Sequence, residues 1–490
     1  LPEPAARGRR NLQRFLQVSN PHHFLGLSQV VSALLSASSS GIHIWGSDIG
    51  GYGTSNDKNK NDPEVYARWL QFGTFSPLMR AHGSSPRDPW AYDDNGAAVA
   101  RFQKYYWVRE SIIDYIYGAA IKASLENIGM TQPMAVAFPE QGRLAQNGTQ
   151  YMFCGDLLVC PVTEEGASSL ETDFPDGRWV SLWNGHAIEG GKTLTVDADL
   201  DTIPVYIAEG AAIPLTLGKT LKLGDAAEEN DKIDTLLITP SSSKTVKKYY
   251  TAKDNTKTFV SDKLSDNRYC IQSEALCDKN IVLIYGVTAN EVKVGDTVLS
   301  ELSEYPDSSA RKAGYYKDYQ NNRTIVVTGG EWNYIEYSDS LERLTNLALN
   351  CRVFTNDDGD TLKTLTSAVD GKYDTATLIE KNEELEFYID LGGLSNINSI
   401  QVKWGGEYAS KYQISACSEL NDSTEWTVIG SVENGRGGTD VIDLEKGEYR
   451  YIKFGGFERA QVKSPKLTEI EIYGDSLYIE PEGQPNINKM

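Results

Sequence analysis

The chain has 490 residues and a formal charge of −21, from 47 Lys and Arg against 68 Asp and Glu. That balance argues against a sequence-independent grip on nucleic-acid phosphate or on an anionic bilayer, and no apolar run reaches the roughly 20 residues that span a membrane as a helix. The 40% hydrophobic and 23% charged content is ordinary for globular domains, of which this length holds about three or four, and six cysteines are too sparse for a disulfide scaffold or a zinc site.

Leu1 to Arg10 is rich in Pro and Arg rather than apolar, so no signal peptide is expected there. Glu3 is the only acid before Asp48. Phe24 to Ala37 is apolar on a helical period, and Ser38 to Gly41 breaks it. Ile42 to Trp45 reads as a short buried strand that ends in Gly46-Ser47-Asp48-Ile49-Gly50-Gly51-Tyr52. After a polar loop, Asp62-Pro63-Glu64 carries the signature of a helix start and Val65 to Phe72 continues that helix. Phe75 to Met79 is strand-like and leads into Arg80-Ala81-His82-Gly83. Ala97 to Ala123 reads as one long amphipathic helix with Trp107, Ile112, Ile113 and Ile116 on its apolar face. From about Pro133 the pattern turns to short β runs between Gly, Pro and Asp turns, and it continues so to Gly474. Cys270 and Cys277 are candidates for pairing, and Glu480 to Met490 reads as a polar linker or frayed end.

Two motifs, Trp45 to Tyr52 (WGSDIGGY) and Phe75 to Gly83 (FSPLMRAHG), closely resemble the end of the catalytic barrel of glycoside hydrolase family 31. The ordered series extends the likeness: Tyr66 to Phe72, Arg87-Asp88-Pro89-Trp90, Gly155 to Val162, Leu182 to Gly185 and Gly210 to Pro214. The resemblance spans roughly residues 24–215 and implies an α-glycosidase of that family. It places Asp48 at the end of barrel strand seven, where a carboxylate accepts sugar hydroxyls in the −1 subsite without being the nucleophile. Tyr52 would line the same pocket, His82 at the end of strand eight would contact the −1 sugar, and Arg80 would organise the motif. The chemistry suits these roles: a carboxylate accepts two hydroxyl protons, an imidazole donates one, and an aromatic ring packs the apolar face of a pyranose. Arg80 has a plainer alternative, pairing with an acidic neighbour to brace the barrel end. Trp45 and Trp90 read as packing residues. Gln132-Pro133-Met134 departs from an Arg-Pro pair at that place in many members.

A retaining glycosidase needs two carboxyls about 5–5.5 Å apart. The resemblance places both before the Asp48 motif, yet Glu3 is the only acid there, so no catalytic residue is assigned in this chain. A complete barrel takes about 250 residues, whereas two strand–helix units are expected here. The missing N-terminal part of the barrel is therefore an expected partner.

Residues 341–475 resemble a discoidin or F5/8-type C domain, the fold of carbohydrate-binding module family 32. The carriers are Ala368 to Gly371 with Asp374-Thr375, Leu385 to Gly392, Ile400 to Trp404, Tyr412 to Ser415, Arg450 to Lys453 and Leu467 to Gly474. That likeness implies a structural Ca2+ on Asp370, Asp374, Thr375 and Glu469, since hard oxygen ligands suit calcium. A plain Asp-Gly turn without metal is the other reading.

The expected fold is multidomain, α/β followed by all-β. Residues 1–135 form the C-terminal part of a (β/α)8 barrel, with 1–20 unmatched. Two β-sandwich domains follow at 136–225 and 226–340, then a discoidin-like β jelly roll at 341–476 and a tail at 477–490. The expected function is retaining hydrolysis or transfer of a terminal α-linked sugar, α-glucosidase type first, on an oligosaccharide or glycan. An α-xylosidase, α-galactosidase or α-N-acetylgalactosaminidase is the alternative within the family, and a non-catalytic glycan-binding protein is the alternative outside it. No cofactor is expected for catalysis, no nucleic acid and no membrane span as partner, and the expected setting is extracellular or at the cell surface.

Overall fold

A computed structural model of the protein describes residues 23–52, 62–84, 86–92, 96–251, 256–265, 267–306, 312–318, 321–339, 345–349, 351–355, 365–371, 375–379, 385–421, 424–435 and 437–476. The Arg-rich start and the tail from Glu480 lie outside them. The chain divides into two compact units, Leu1–Ser340 and Leu341–Met490. No helix among the described residues is long and apolar enough to cross a membrane.

In the first unit, α1 (Phe24–Ser39) starts at His23, whose Nδ1 accepts the Gly26 N–H at 3.0 Å. Leu27, Val30, Val31 and Leu34 recur at helical spacing and are buried. The first strand forms later than the apolar run predicts: β1 is Gly46–Asp48, and only Trp45 of the preceding residues is buried. The second is β2 (Leu78–Arg80) rather than Phe75 to Met79. The delay has a cause in the turn before it. The Ser76 hydroxyl lies 2.9 Å from the carbonyls of Gly73 and Leu78, and Pro77 has no N–H for a ladder. The two strands run parallel, with Gly46 opposite Leu78, Ser47 opposite Met79 and Asp48 opposite Arg80. Parallel neighbours need a long crossover, and α2 (Pro63–Thr74) supplies it. Asp62 caps α2, its Oδ1 accepting the N–H groups of Glu64 and Val65 at 2.9 and 3.2 Å, with Pro63 in the first turn.

The single long helix expected from Ala97 is two, α3 (Ala97–Ser111) and α4 (Ile113–Glu126). The Ser111 hydroxyl donates to the Trp107 carbonyl at 2.7 Å, a local bond that bends helices, and Ile112 leaves the helical region at φ −104, ψ 10. The break rotates the apolar face, so Ile112 is buried and Ile113 is 42% exposed.

The β part of this unit begins with a six-stranded sheet (Thr131–Pro133, Tyr151–Phe153, Leu157–Val159, Val205–Ala208, Arg178–Ser181, Ala187–Glu189, in spatial order) and a separate hairpin of Ser169–Phe174 with Lys192–Asp197. A five-stranded and a second six-stranded sheet follow. The five-stranded sheet is buried on both faces, which is why Ile281–Tyr285 reads as an unbroken apolar run. Leu283, Ile325 and Val327 join the core shared with the helices, while Val282, Ile284 and Val326 pack with Phe259, Ile271 and Ile335 of the six-stranded sheet. Cys270 and Cys277, candidates for pairing, are both free. They lie on one strand, Arg268–Cys277, where seven extended residues span about 23 Å. A disulfide needs Cα atoms roughly 4.4–6.8 Å apart.

The second unit is one eight-stranded sheet around its own core of Ile389, Ile400, Ile414, Ile452, Phe454, Ile470 and neighbours. Its two longest strands, Phe387–Trp404 and Thr439–Arg459, are interrupted by register shifts.

Candidate active site

Asp48 is the last residue of β1 and Arg80 the last of β2, so the parallel register sets the two side by side at the same end of the sheet. Arg80 Nε donates to Asp48 Oδ1 at 2.7 Å, and its Nη2 stands 2.5 Å from the same oxygen. The Asp48 side chain is 1% exposed and the Arg80 side chain 39%. Asp48 Oδ2 is buried without a hydrogen-bond partner among the described residues. A buried carboxylate oxygen with no donor is an unmet demand, and a ligand hydroxyl is one way to meet it. Arg80 thus braces the strand end, as its plainer reading has it, through the candidate sugar-binding aspartate itself.

Tyr52 and His82 extend from the loops that follow the two strands, with ring centroids 5.6 Å apart at 47°. Tyr52 is half-buried and His82 exposed. Ser84 ties the loops together: its N–H donates to the Tyr52 carbonyl at 2.8 Å and its hydroxyl donates to the same oxygen at 3.0 Å. All four sequence-named residues of this end therefore stand on two adjacent strand termini and their loops.

Arg87 has a positional role that the motif likeness quoted but did not assign. It is 6% exposed, and its Nε donates to the Gly51 carbonyl at 2.8 Å while its Nη1 donates to the Tyr92 hydroxyl at 2.9 Å. The Tyr66 hydroxyl donates to the Arg87 carbonyl at 3.2 Å, and Tyr66 stacks on Tyr92 at 4.1 Å. Burial pushes both phenols above their usual range. Gly50 and Gly51 take φ +78 and +76, which opens the turn that carries Tyr52, and a Cβ on Gly50 would crowd Tyr66, Arg87 and Tyr92. Arg109, also unassigned in the sequence, is buried at the root of β2 and donates to the carbonyls of Thr74, Ser76 and Pro77 at 2.9, 2.6 and 2.8 Å. Burial lowers its guanidinium to about 10. The available signal for Arg109 was an Arg among the apolar residues Tyr105 to Val108 and Ile112; Arg87, in Ser84-Ser85-Pro86-Arg87-Asp88, had only its place beside a motif. Trp45 is 3% exposed and packs as expected; Trp90, expected to pack, is 68% exposed because its loop turns it outward.

In the second unit, Asp370, Thr375 and Glu469 converge, and Asp374 lies outside the described residues. The Thr375 hydroxyl is 3.1 Å from both carboxylate oxygens of Asp370. Glu469 Oε1 accepts the Gly371 N–H at 3.2 Å, and its Oε2 is buried without a partner among the described residues. Burial, with Glu471 and Asp370 nearby, pushes the Glu469 carboxyl up to about 8. An orphaned carboxylate oxygen beside a second acid fits a hard cation. Among the described residues, however, no group of three or more His, Cys, Asp or Glu side chains is gathered for a metal.

Comparison with known proteins follows the same division. Residues 19–119 match the glycosyl hydrolases family 31 TIM-barrel domain, residues 127–213 the family 31 C-terminal domain, and residues 367–454 a NedA-like galactose-binding domain. An isomaltosyltransferase of Sporosarcina globispora is 27% identical over 322 residues, covering 62% of this chain and 29% of that enzyme. An alpha-xylosidase of Saccharolobus solfataricus is 34% identical over 206 residues, covering 42% of this chain and 28% of the relative. The cycloalternan-forming enzyme of Listeria monocytogenes, solved with a pentasaccharide substrate, shares the fold with a TM-score of 0.61 at 21% identity, over 92% of this chain and 43% of that one. The chain spans less than half the length of each. Residues 19–119 and 127–213 are thus similar to two successive domains of glycosyl hydrolase family 31, and residues 367–454 to a NedA-like galactose-binding domain.

Proposed function

We propose that this chain builds part of the −1 subsite of a retaining α-glycoside hydrolase or transglycosylase, of α-glucosidase type, acting on terminal α-linked sugars. The observation that carries this reading is the buried Asp48 Oδ2 at a parallel strand end, without a partner among the described residues, with its other oxygen held by Arg80 and Tyr52 and His82 on the adjoining loops. A neutral pyranose suits that set: its hydroxyls donate to Asp48 and accept from His82, and Tyr52 offers an apolar wall. The nucleophile and the acid/base are assigned to no residue of this sequence, and further barrel polypeptide is the proposed source of both. The appended domain would hold the enzyme near glycans and raise the effective substrate concentration. Asp370, Asp374, Thr375 and Glu469 would ligate a structural Ca2+ there, and the domain boundaries would fall near 135, 225, 340 and 476. An extracellular or cell-surface setting completes the proposal.

The test is a panel of nitrophenyl α-glycosides (glucoside, xyloside, galactoside and N-acetylgalactosaminide), given to the 490-residue chain alone and together with a family 31 barrel segment carrying the earlier strands. Turnover that requires the added segment and falls about 10- to 100-fold in Asp48→Ala supports the reading, at roughly 1.5–3 kcal/mol for a charge-assisted hydrogen bond. Turnover by the chain alone overturns the assignment of the carboxyl pair. Glycan affinity without turnover in either arm favours a non-catalytic glycan-binding protein instead.

A further inference from the structure

A cavity of about 260 Å³ opens where α4 crosses the ends of the two packed β-sheets, lined by residues of six separate elements. Its wall is aromatic: Tyr249, Tyr250 and Phe259. Leu236 and Cys277, each 1% exposed, form the apolar base. The wall is fixed before any ligand arrives. The Tyr249 hydroxyl donates to Asp156 Oδ2 at 2.9 Å and accepts the Ala212 N–H at 3.1 Å. Tyr249 also packs against Tyr115 at 5.9 Å and Phe259 at 6.2 Å. Tyr250 is held by its hydroxyl against Glu126 of α4. Gly118 lets α4 approach this strand: a Cβ there would stand 2.3 Å from the Tyr250 carbonyl oxygen.

The rim decides the class of ligand. Lys257 pairs with Asp278 at 2.7 Å and Lys279 with Asp234 at 3.0 Å, so both ammonium groups are neutralised but keep further N–H donors. Asp114, in the first turn of α4, adds a carboxylate acceptor. Balanced lysines do not attract an anion, and their free N–H donors serve a hydroxyl oxygen but not an organic cation, which would use the aromatic wall and Asp114 alone. A divalent ion would want several oxygen ligands, and among the described residues of the rim Asp114 is the carboxylate outside the two lysine pairs. Donors and an acceptor above a rigid aromatic wall match a neutral polyol with one apolar face. Pockets for drug-sized ligands run from about 300 Å³ upward, so this volume admits a single ring rather than an oligosaccharide.

We propose that this cavity is a second, non-catalytic sugar site that binds one neutral pyranose, separate from the barrel-end site. Asp114 and the lysines would contact hydroxyls, and Tyr249, Tyr250 and Phe259 the ring face. The test is isothermal titration of the full chain with methyl α-D-glucopyranoside, repeated in Asp114→Ala and in Asp48→Asn, which removes the barrel-end acceptor. Saturable binding with a Kd on the order of 1 mM is expected for so small a ligand. Asp114→Ala is expected to weaken it at least fivefold, with Asp48→Asn leaving it intact. Loss in Asp48→Asn alone would place the sugar at the barrel end and overturn the second site. So would binding unchanged in Asp114→Ala, absence of saturable binding, or displacement of the sugar by choline.

Discussion

At the scale of single residues, the pair Asp48–Arg80 carries the most information. Its asymmetry, one side chain buried and the other 39% exposed, means that removing the arginine strands a buried carboxylate. Arg80→Ala is expected to destabilise the first unit by about 2–3 kcal/mol, and Asp48→Asn in that background to recover part of the loss. Chemical denaturation of both single variants and the double variant checks this; additive effects would show that the two side chains are not coupled. Asp173 gives a pH signature. Burial pushes its carboxyl up, but hydrogen bonds from Thr193 and Asn147 and the Arg143 guanidinium outweigh that and hold it below its usual value. A carboxyl lowered in the folded state adds stability above its unfolded pKa, and that stability is lost as pH falls through the folded value. The chain is expected to lose well under 1 kcal/mol from this group below about pH 3.8, since the cluster is partly exposed. Asp173→Asn should flatten that part of the stability–pH curve, and an unchanged slope would refute the assignment. The motif likeness picked out Asp48, Tyr52, Arg80 and His82 by matching each to a position of the family 31 motifs. It left Arg87 and Arg109 without a role, because an arginine that binds carbonyls has no sequence partner to reveal it.

At the scale of elements, helix starts were more legible than strand positions. Asp62-Pro63 announces α2 through its own cap chemistry, which is local. The β1–β2 pair is set by contact across the sheet: Gly46 has Leu78 Cβ and the Leu78 carbonyl oxygen both 2.6 Å from where its own Cβ would stand. No feature of residues 42–48 alone carries that restriction, so the apolar run at Ile42 to Trp45 read as the strand. Gly46→Ala is expected to push the strands apart and cost about 1–3 kcal/mol, the usual range for overpacking. A thermal shift smaller than that of a surface Ser→Ala control would contradict the close approach. The break between α3 and α4 was hidden for a similar reason, because one serine hydroxyl turning back on Trp107 leaves no mark in the apolar period.

At the scale of the whole molecule, the two units have separate cores, so unfolding is expected in two transitions rather than one. Calcium would act on one of them. A ligand that binds only the folded state stabilises by about 2.7 kcal/mol at one hundred times its Kd. Calorimetry with millimolar CaCl2 against excess chelator should therefore raise the midpoint of the galactose-binding domain alone, and Glu469→Gln should abolish the rise. A rise in both transitions, or in neither, would count against the Asp370–Glu469 site. Residue order by itself determined the family series, through its likeness to known motifs, and the turn to β structure after Pro133 and the polar residues after the apolar runs, through composition, period and spacing along the chain. Only the tertiary structure decided that Arg80 binds Asp48, that Cys270 and Cys277 stay apart, and that a walled cavity opens beside α4. The first and the last depend on distances between residues far apart in sequence, which packing sets and local pattern does not encode, and the cysteines on residues 268–277 being drawn out as one strand.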